Sequence, residues 1–118
     1  EVRGFIAPAW LLGKEAERAA RDEGFAYTTR LAGVLDLRDG AWTSSQSLVY
    51  SVRSAWRRAA SLVWNAWLAR RLRPNPLARL GLHPPDWAHA RIRTHALRLA
   101  LEASAGRRVV RYRDWIGT

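Results

Sequence analysis

Two prolines in succession, Pro84 and Pro85, end whatever element precedes them, and the residue they leave at that end is His83. The run before it, Leu80-Gly81-Leu82, is short, apolar and bounded by breakers, the pattern of a strand buried on both faces. Asp86, just past the prolines, is placed to cap the helix that follows. Where strands alternate with helices, the carboxyl ends of parallel strands are where ligands and catalytic side chains gather. His83 is therefore the first candidate for chemistry.

The rest of the chain supports such an alternation. Glu1 to Ile6 reads as a strand and Ala7-Pro8-Ala9-Trp10 as the loop at its end. A short helix is predicted over Gly13 to Glu23, with Ala16, Ala19 and Ala20 on one face, Glu15 and Glu17 in the first turn and Gly24 as its stop. Phe25, Tyr27, Thr29 and Leu31 alternate with Ala26, Thr28 and Arg30 as in a strand, and Val34 to Leu37 forms a second strand that runs into an Asp39-Gly40 turn. Trp42 to Ser47 reads as a polar loop and Ser47 to Ser51 as a strand. From Val52 to Leu72 the period becomes helical, with Val52, Trp56, Ala59, Ala60, Val63 and Trp67 along one stripe. Leu77 to His83 is the next strand, Trp87 to Ser104 a helix with Ile92, Ala96, Leu99 and Ala103 inward, and Arg108 to Tyr112 a final strand. The expected fold class is α/β: mainly parallel strands alternating with helices, in the manner of the back portion of a β/α barrel.

Composition narrows the function classes. A chain of 118 residues without cysteine has no disulfide, no zinc-thiolate site and no thiol nucleophile. It also lacks methionine and opens on Glu1 within a strand-like run, so it is expected to be part of something longer. No apolar run reaches the roughly 18 residues of a membrane span. The net charge of +10 admits nucleic acid or another polyanion as a partner. Neither a Gly-x-Ser-x-Gly elbow nor a Gly-rich phosphate loop occurs.

Gly4-Phe5-Ile6-Ala7-Pro8-Ala9-Trp10 resembles the Arg-x-Pro-aromatic loop of the polysaccharide deacetylase superfamily, the NodB-like carbohydrate esterases, and Leu82-His83-Pro84 resembles that family's final Leu-x-His motif. The spacing of the two, and Ser47 to Arg58 between them, are similar to a bacterial branch of deacetylase-like proteins. The likeness spans nearly the whole chain but only the C-terminal part of the family domain. It implies a distorted (β/α) barrel and a metal-dependent hydrolase that removes an acetyl or similar acyl group from an amino sugar or polysaccharide. By the same resemblance His83 is the general acid that protonates the leaving amine, a task suited to an imidazole, and Pro8 and Trp10 wall the substrate groove. The implied cofactor is a divalent metal, zinc as a rule. Its ligands and the catalytic base are expected in a segment preceding Glu1, and the missing half or a second copy of the chain as a partner. Ile6 departs from the pattern, which often has the arginine that steadies the catalytic aspartate.

Plainer readings stand beside these. His83, Asp86 and His89 are spaced by three, but two prolines interrupt helical geometry between them, so they are not read as a metal site. His95 shares a helical stripe with Arg91, Arg98 and Glu102 and is expected in solvent. Trp56, Trp64 and Trp67 are expected as core or interface anchors, and Trp10 as either groove wall or packing. The alternatives to the enzyme are an arginine-rich module that binds nucleic acid or another polyanion through Arg53, Arg57, Arg58, Arg70, Arg71 and Arg73, and a non-catalytic carbohydrate-binding relative.

Overall fold

The computed structural model describes residues 1–117. In chain order the elements are β1 (Gly4–Phe5), a 3-10 turn (Pro8–Trp10), α1 (Lys14–Asp22), β2 (Tyr27–Arg30), β3 (Gly33–Asp36), β4 (Trp42–Ser44), β5 (Ser47–Leu48), α2 (Ala55–Arg71), β6 (Arg79–Leu80), a second 3-10 turn (Pro84–Ala88), α3 (Ala90–Ser104) and α4 (Tyr112–Ile116). The chain is α/β and divides into two compact units, one made of residues 1–46 and the described residues from 109 on, the other of residues 47–108.

The first unit holds a mixed four-stranded sheet in the order β1-β2-β3-β4. β1 and β2 are parallel, joined by α1, and β2-β3-β4 continue as an antiparallel meander. β2 is covered on both faces, so Thr28 and Thr29 are both buried instead of alternating in and out. Val34 and Leu37 are sealed from solvent and form the apolar centre. Gly33 is required where β3 meets β4: a Cβ there would stand 2.3 Å from the Thr43 carbonyl oxygen. Arg30 ties β2 to α1, donating through Nη2 to Glu17 Oε2 at 2.5 Å and through Nη1 to the Leu12 carbonyl. Arg38 grips Asp36 with Nε and Nη2, holding that carboxyl below the usual carboxylate range, and donates from Nη2 to the Ile116 carbonyl of α4.

The second unit is built on a second β-α-β crossover. β5 and β6 pair in parallel, Ser47 with Arg79 and Leu48 with Leu80, with α2 between them in sequence. Leu48, Leu68 and Leu99 form one part of the core, and Tyr50, Ile92 and Ala96 the other, with Leu80 packed against both. Gly81 lets the end of β6 pass close to β5: its N–H donates to the Leu48 carbonyl at 2.8 Å, and a Cβ would lie 2.9 Å from Val49 Cγ1. Ser54 caps the start of α2. At the other end of that helix, Arg107 Nη2 donates to the carbonyls of Leu72, Arg73 and Asn75, placing a cation where helical carbonyls lack partners.

Several expectations are corrected. The strands are not mainly parallel, because Asp39-Gly40 and the run to Ser44 close antiparallel pairs, and Trp42–Ser44 is a strand rather than a loop. Residues 108–111 form no strand. Arg111 Nε instead pairs with Asp114 at 2.8 Å, and the chain turns into α4. The run before His83 pairs only at Arg79–Leu80, and Leu82 is exposed, so the strand is not buried along its length. In α1, of the three alanines only Ala20 is buried. The largest correction concerns α2, whose buried side carries Ser61, Asn65 and Leu68. Trp56, Val63 and Trp67, the expected inner stripe, are 69%, 72% and 53% exposed. Asn65 is fully buried because its Nδ2 donates to the Val49 carbonyl at 2.8 Å, which fastens α2 to the chain leaving β5.

Candidate functional site

His83 sits in extended backbone beyond the end of β6, at the N-terminal boundary of the 3-10 turn Pro84–Ala88. Pro84 and Pro85 occupy the opening positions of that turn, where a missing N–H costs no hydrogen bond. Asp86 lies three residues on and is 2% exposed. It does not cap α3, which starts from His89. Its carboxylate turns back and accepts the His83 N–H at 2.8 Å, while the Asp86 N–H donates to the His83 carbonyl at 2.9 Å. The His83 backbone is thus clamped from both directions. Its side chain remains 64% exposed, with Nδ1 3.8 Å from Asp86 Oδ2. The result is an imidazole open to solvent, with a buried carboxylate within electrostatic reach of one ring nitrogen.

Pro8 and Trp10 share one turn of the first unit. Pro8 is exposed and Trp10 half-buried. The turn closes through the Trp10 N–H on the Ala7 carbonyl and the Leu11 N–H on the Pro8 carbonyl. Ala9 and Trp10 both lie in the left-handed region, at φ 53° and 56°. Two consecutive residues with side chains held there store on the order of 1–3 kcal/mol each, strain that is concentrated at ligand-contacting loops more than elsewhere. Ile6, at the position of the expected arginine, is 47% exposed and provides no polar contact.

The second unit also holds a titratable pair that the sequence reading missed. His95 is buried, not solvated, and its Nδ1 lies 2.8 Å from the Tyr50 hydroxyl, the rings meeting edge to face. Burial and the nearby Arg98 push the His95 pKa down, while burial and the Asp86 carboxylate push Tyr50 up to about 12. A neutral ring and a neutral phenol thus share one hydrogen bond at Nδ1. Two β-sheet-like residues, Val49 and Tyr50, ahead of a helix were the only signal for this contact, and nothing in the spacing linked them to His95. Beside the pair, Leu62, Val63 and Ala66 of α2 face Arg91 and Arg98 of α3 across an open groove of about 520 Å³.

Among the described residues no group of three or more His, Cys, Asp or Glu side chains is placed to hold a metal ion, so the expected zinc finds no ligand set in them. His83, Asp86 and His89 do not form one. No helix among them is long and apolar enough to cross a membrane. Comparisons with protein-family models, with curated proteins and with solved structures found no match.

Proposed function

We propose that this chain forms part of a hydrolase that removes an acetyl or similar acyl group from an amino sugar, with His83 as the general acid. The observation that carries the reading is the state of His83: a solvent-open imidazole at a strand end, its backbone clamped by a buried aspartate. Hydrolysis of an amide requires a proton on the departing nitrogen as the C–N bond breaks, because an amide anion is too poor a leaving group. A solvent-open ring carried on a clamped backbone can deliver that proton; a ring locked in the core cannot. Two β-α-β crossovers support a barrel-type architecture of the kind the sequence resembles. The strained Pro8-Ala9-Trp10 turn supports an aromatic surface for a sugar ring in the first unit. A divalent ion in this reaction would draw its ligands from residues outside those described.

The test is acetate release from N-acetylated oligosaccharides by the protein that carries this sequence at its natural length. His83→Ala is expected to lower turnover by about 10²–10⁴-fold, the usual worth of a general acid, while sugar binding stays unchanged. Trp10→Ala is expected to raise KM about tenfold at nearly constant kcat. Turnover that survives His83→Ala intact contradicts the proposal.

A further inference from the structure

The outward face of α2 is the largest feature that the hydrolase reading leaves unused. Trp56, Val63, Trp64 and Trp67 are each more than half exposed there, although Leu68 of the same helix is buried. Turning by 3.6 residues per turn, α2 sets Trp56, Ala60, Val63 and Trp67 on one line, opposite the line of Ser61, Asn65 and Leu68 that meets the core. Arg57 near one end of the helix and Arg70 and Arg71 at the other are also exposed, and the helix contains no acidic residue. The apolar middle is therefore bracketed by positive charge over roughly 20 Å. Soluble chains seldom leave a continuous apolar strip uncovered unless something docks on it.

We propose that this face binds the surface of an anionic lipid bilayer, lying in the interface with the tryptophans inserted at headgroup depth and the arginines on lipid phosphates. Charge complementarity selects the partner: the strip lacks carboxylates and belongs to a chain of net charge +10. The side-chain types separate bilayer from nucleic acid. Exposed Val63, Ala59 and Ala60 gain from an acyl boundary and have no use for bases or phosphates. Base stacking also needs free ring faces. Here the Trp64 and Trp67 rings lie 5.2 Å apart at 31°, and the Arg57 guanidinium sits over Trp56 at 5.2 Å, so each ring has one face already engaged. The groove beside α3 continues the same surface through Val63, with Arg91 and Arg98 along its far side.

Vesicle sedimentation tests this with the full chain and two lipid mixtures, phosphatidylglycerol with phosphatidylcholine, and phosphatidylcholine alone. The expected result is partition onto the anionic vesicles at least about tenfold stronger than onto the neutral ones, falling as salt rises past physiological strength. The triple variant Trp56→Ala, Trp64→Ala, Trp67→Ala should lose at least about tenfold on anionic vesicles with an unchanged circular dichroism spectrum, since these side chains lie outside the core. Arg57→Gln with Arg70→Gln and Arg71→Gln should erase the preference for anionic lipid. Absence of vesicle binding overturns the proposal. So does equal binding by the wild type and the tryptophan variant. Tryptophan-dependent binding of oligothymidylate without vesicle binding would assign the face to single-stranded nucleic acid, and a tryptophan-dependent dimer without vesicle binding would assign it to a second copy of the chain; either result overturns the proposal. Loss of acetate release in the His83 variant reads a different residue and leaves this outcome untouched.

Discussion

Protonation of His95 links a single ring to the stability of the second unit. Because burial and Arg98 hold its pKa below the ordinary 6.5, the unfolded chain takes up a proton there before the folded chain does. The stability that depends on the neutral ring is complete above about 6.5 and is lost as pH falls through the lower folded value. Tyr50 acts at the other limit. Its pKa is raised from 10.0 to about 12, so the folded chain keeps the phenolic proton that the unfolded chain gives up, and stability falls between these two values. Urea midpoints are expected to be flat between these limits, to fall on the acid side, and to fall less steeply there in His95→Leu. Tyr50→Phe should cost about 1–3 kcal/mol at neutral pH, because the buried Nδ1 loses its hydrogen-bond partner. His83 was legible in the sequence because prolines fix its position locally. His95 was not, since its partner lies 45 residues away and its neighbours on the helix, Arg91, Arg98 and Glu102, are charged.

Helix α2 shows why element boundaries were readable and element orientation was not. The change to a helical period placed it over Val52 to Leu72, within a few residues of the observed Ala55–Arg71. Its sequence, however, has two apolar sides, and the bulkier one, with three tryptophans, is the outer one. The inner side is polar at Ser61 and Asn65, and what makes that acceptable is a hydrogen bond to a carbonyl 16 residues back in the chain. No periodicity encodes such a bond. The two orientations make opposite predictions for thermal or urea unfolding. Asn65→Ala should destabilise by about 1–3 kcal/mol through the unpaired Val49 carbonyl, whereas Trp56→Ala and Val63→Ala should each stay within about 0.5 kcal/mol. If the tryptophan stripe faced the core, the tryptophan substitution would be the severe one. The same reasoning covers residues 108–111, where β-branched Val109 and Val110 argued for a strand but no partner strand receives them and Val109 is 85% exposed.

At the scale of the molecule, two β-α-β crossovers were visible in the alternation of strand and helix patterns, and each of the two units contains one. The antiparallel meander was less visible because its strands are short and Trp42-Thr43-Ser44 has no apolar alternation. The proposed chemistry rests on the second crossover, beyond which His83 stands open to solvent near a buried carboxylate. A structural role and a proton-donating role for that ring differ in how the loss depends on the leaving group. An amide nitrogen needs a proton to depart, whereas an activated aryl acetate releases a stable phenolate without one. The most direct measurement is therefore kcat/KM for the natural-length protein and its His83→Ala variant on an N-acetylated amino sugar and on an aryl acetate. The account predicts a loss of about 10²–10⁴-fold on the amide and less than about tenfold on the ester. Equal losses on both substrates, or none on the amide, would contradict it.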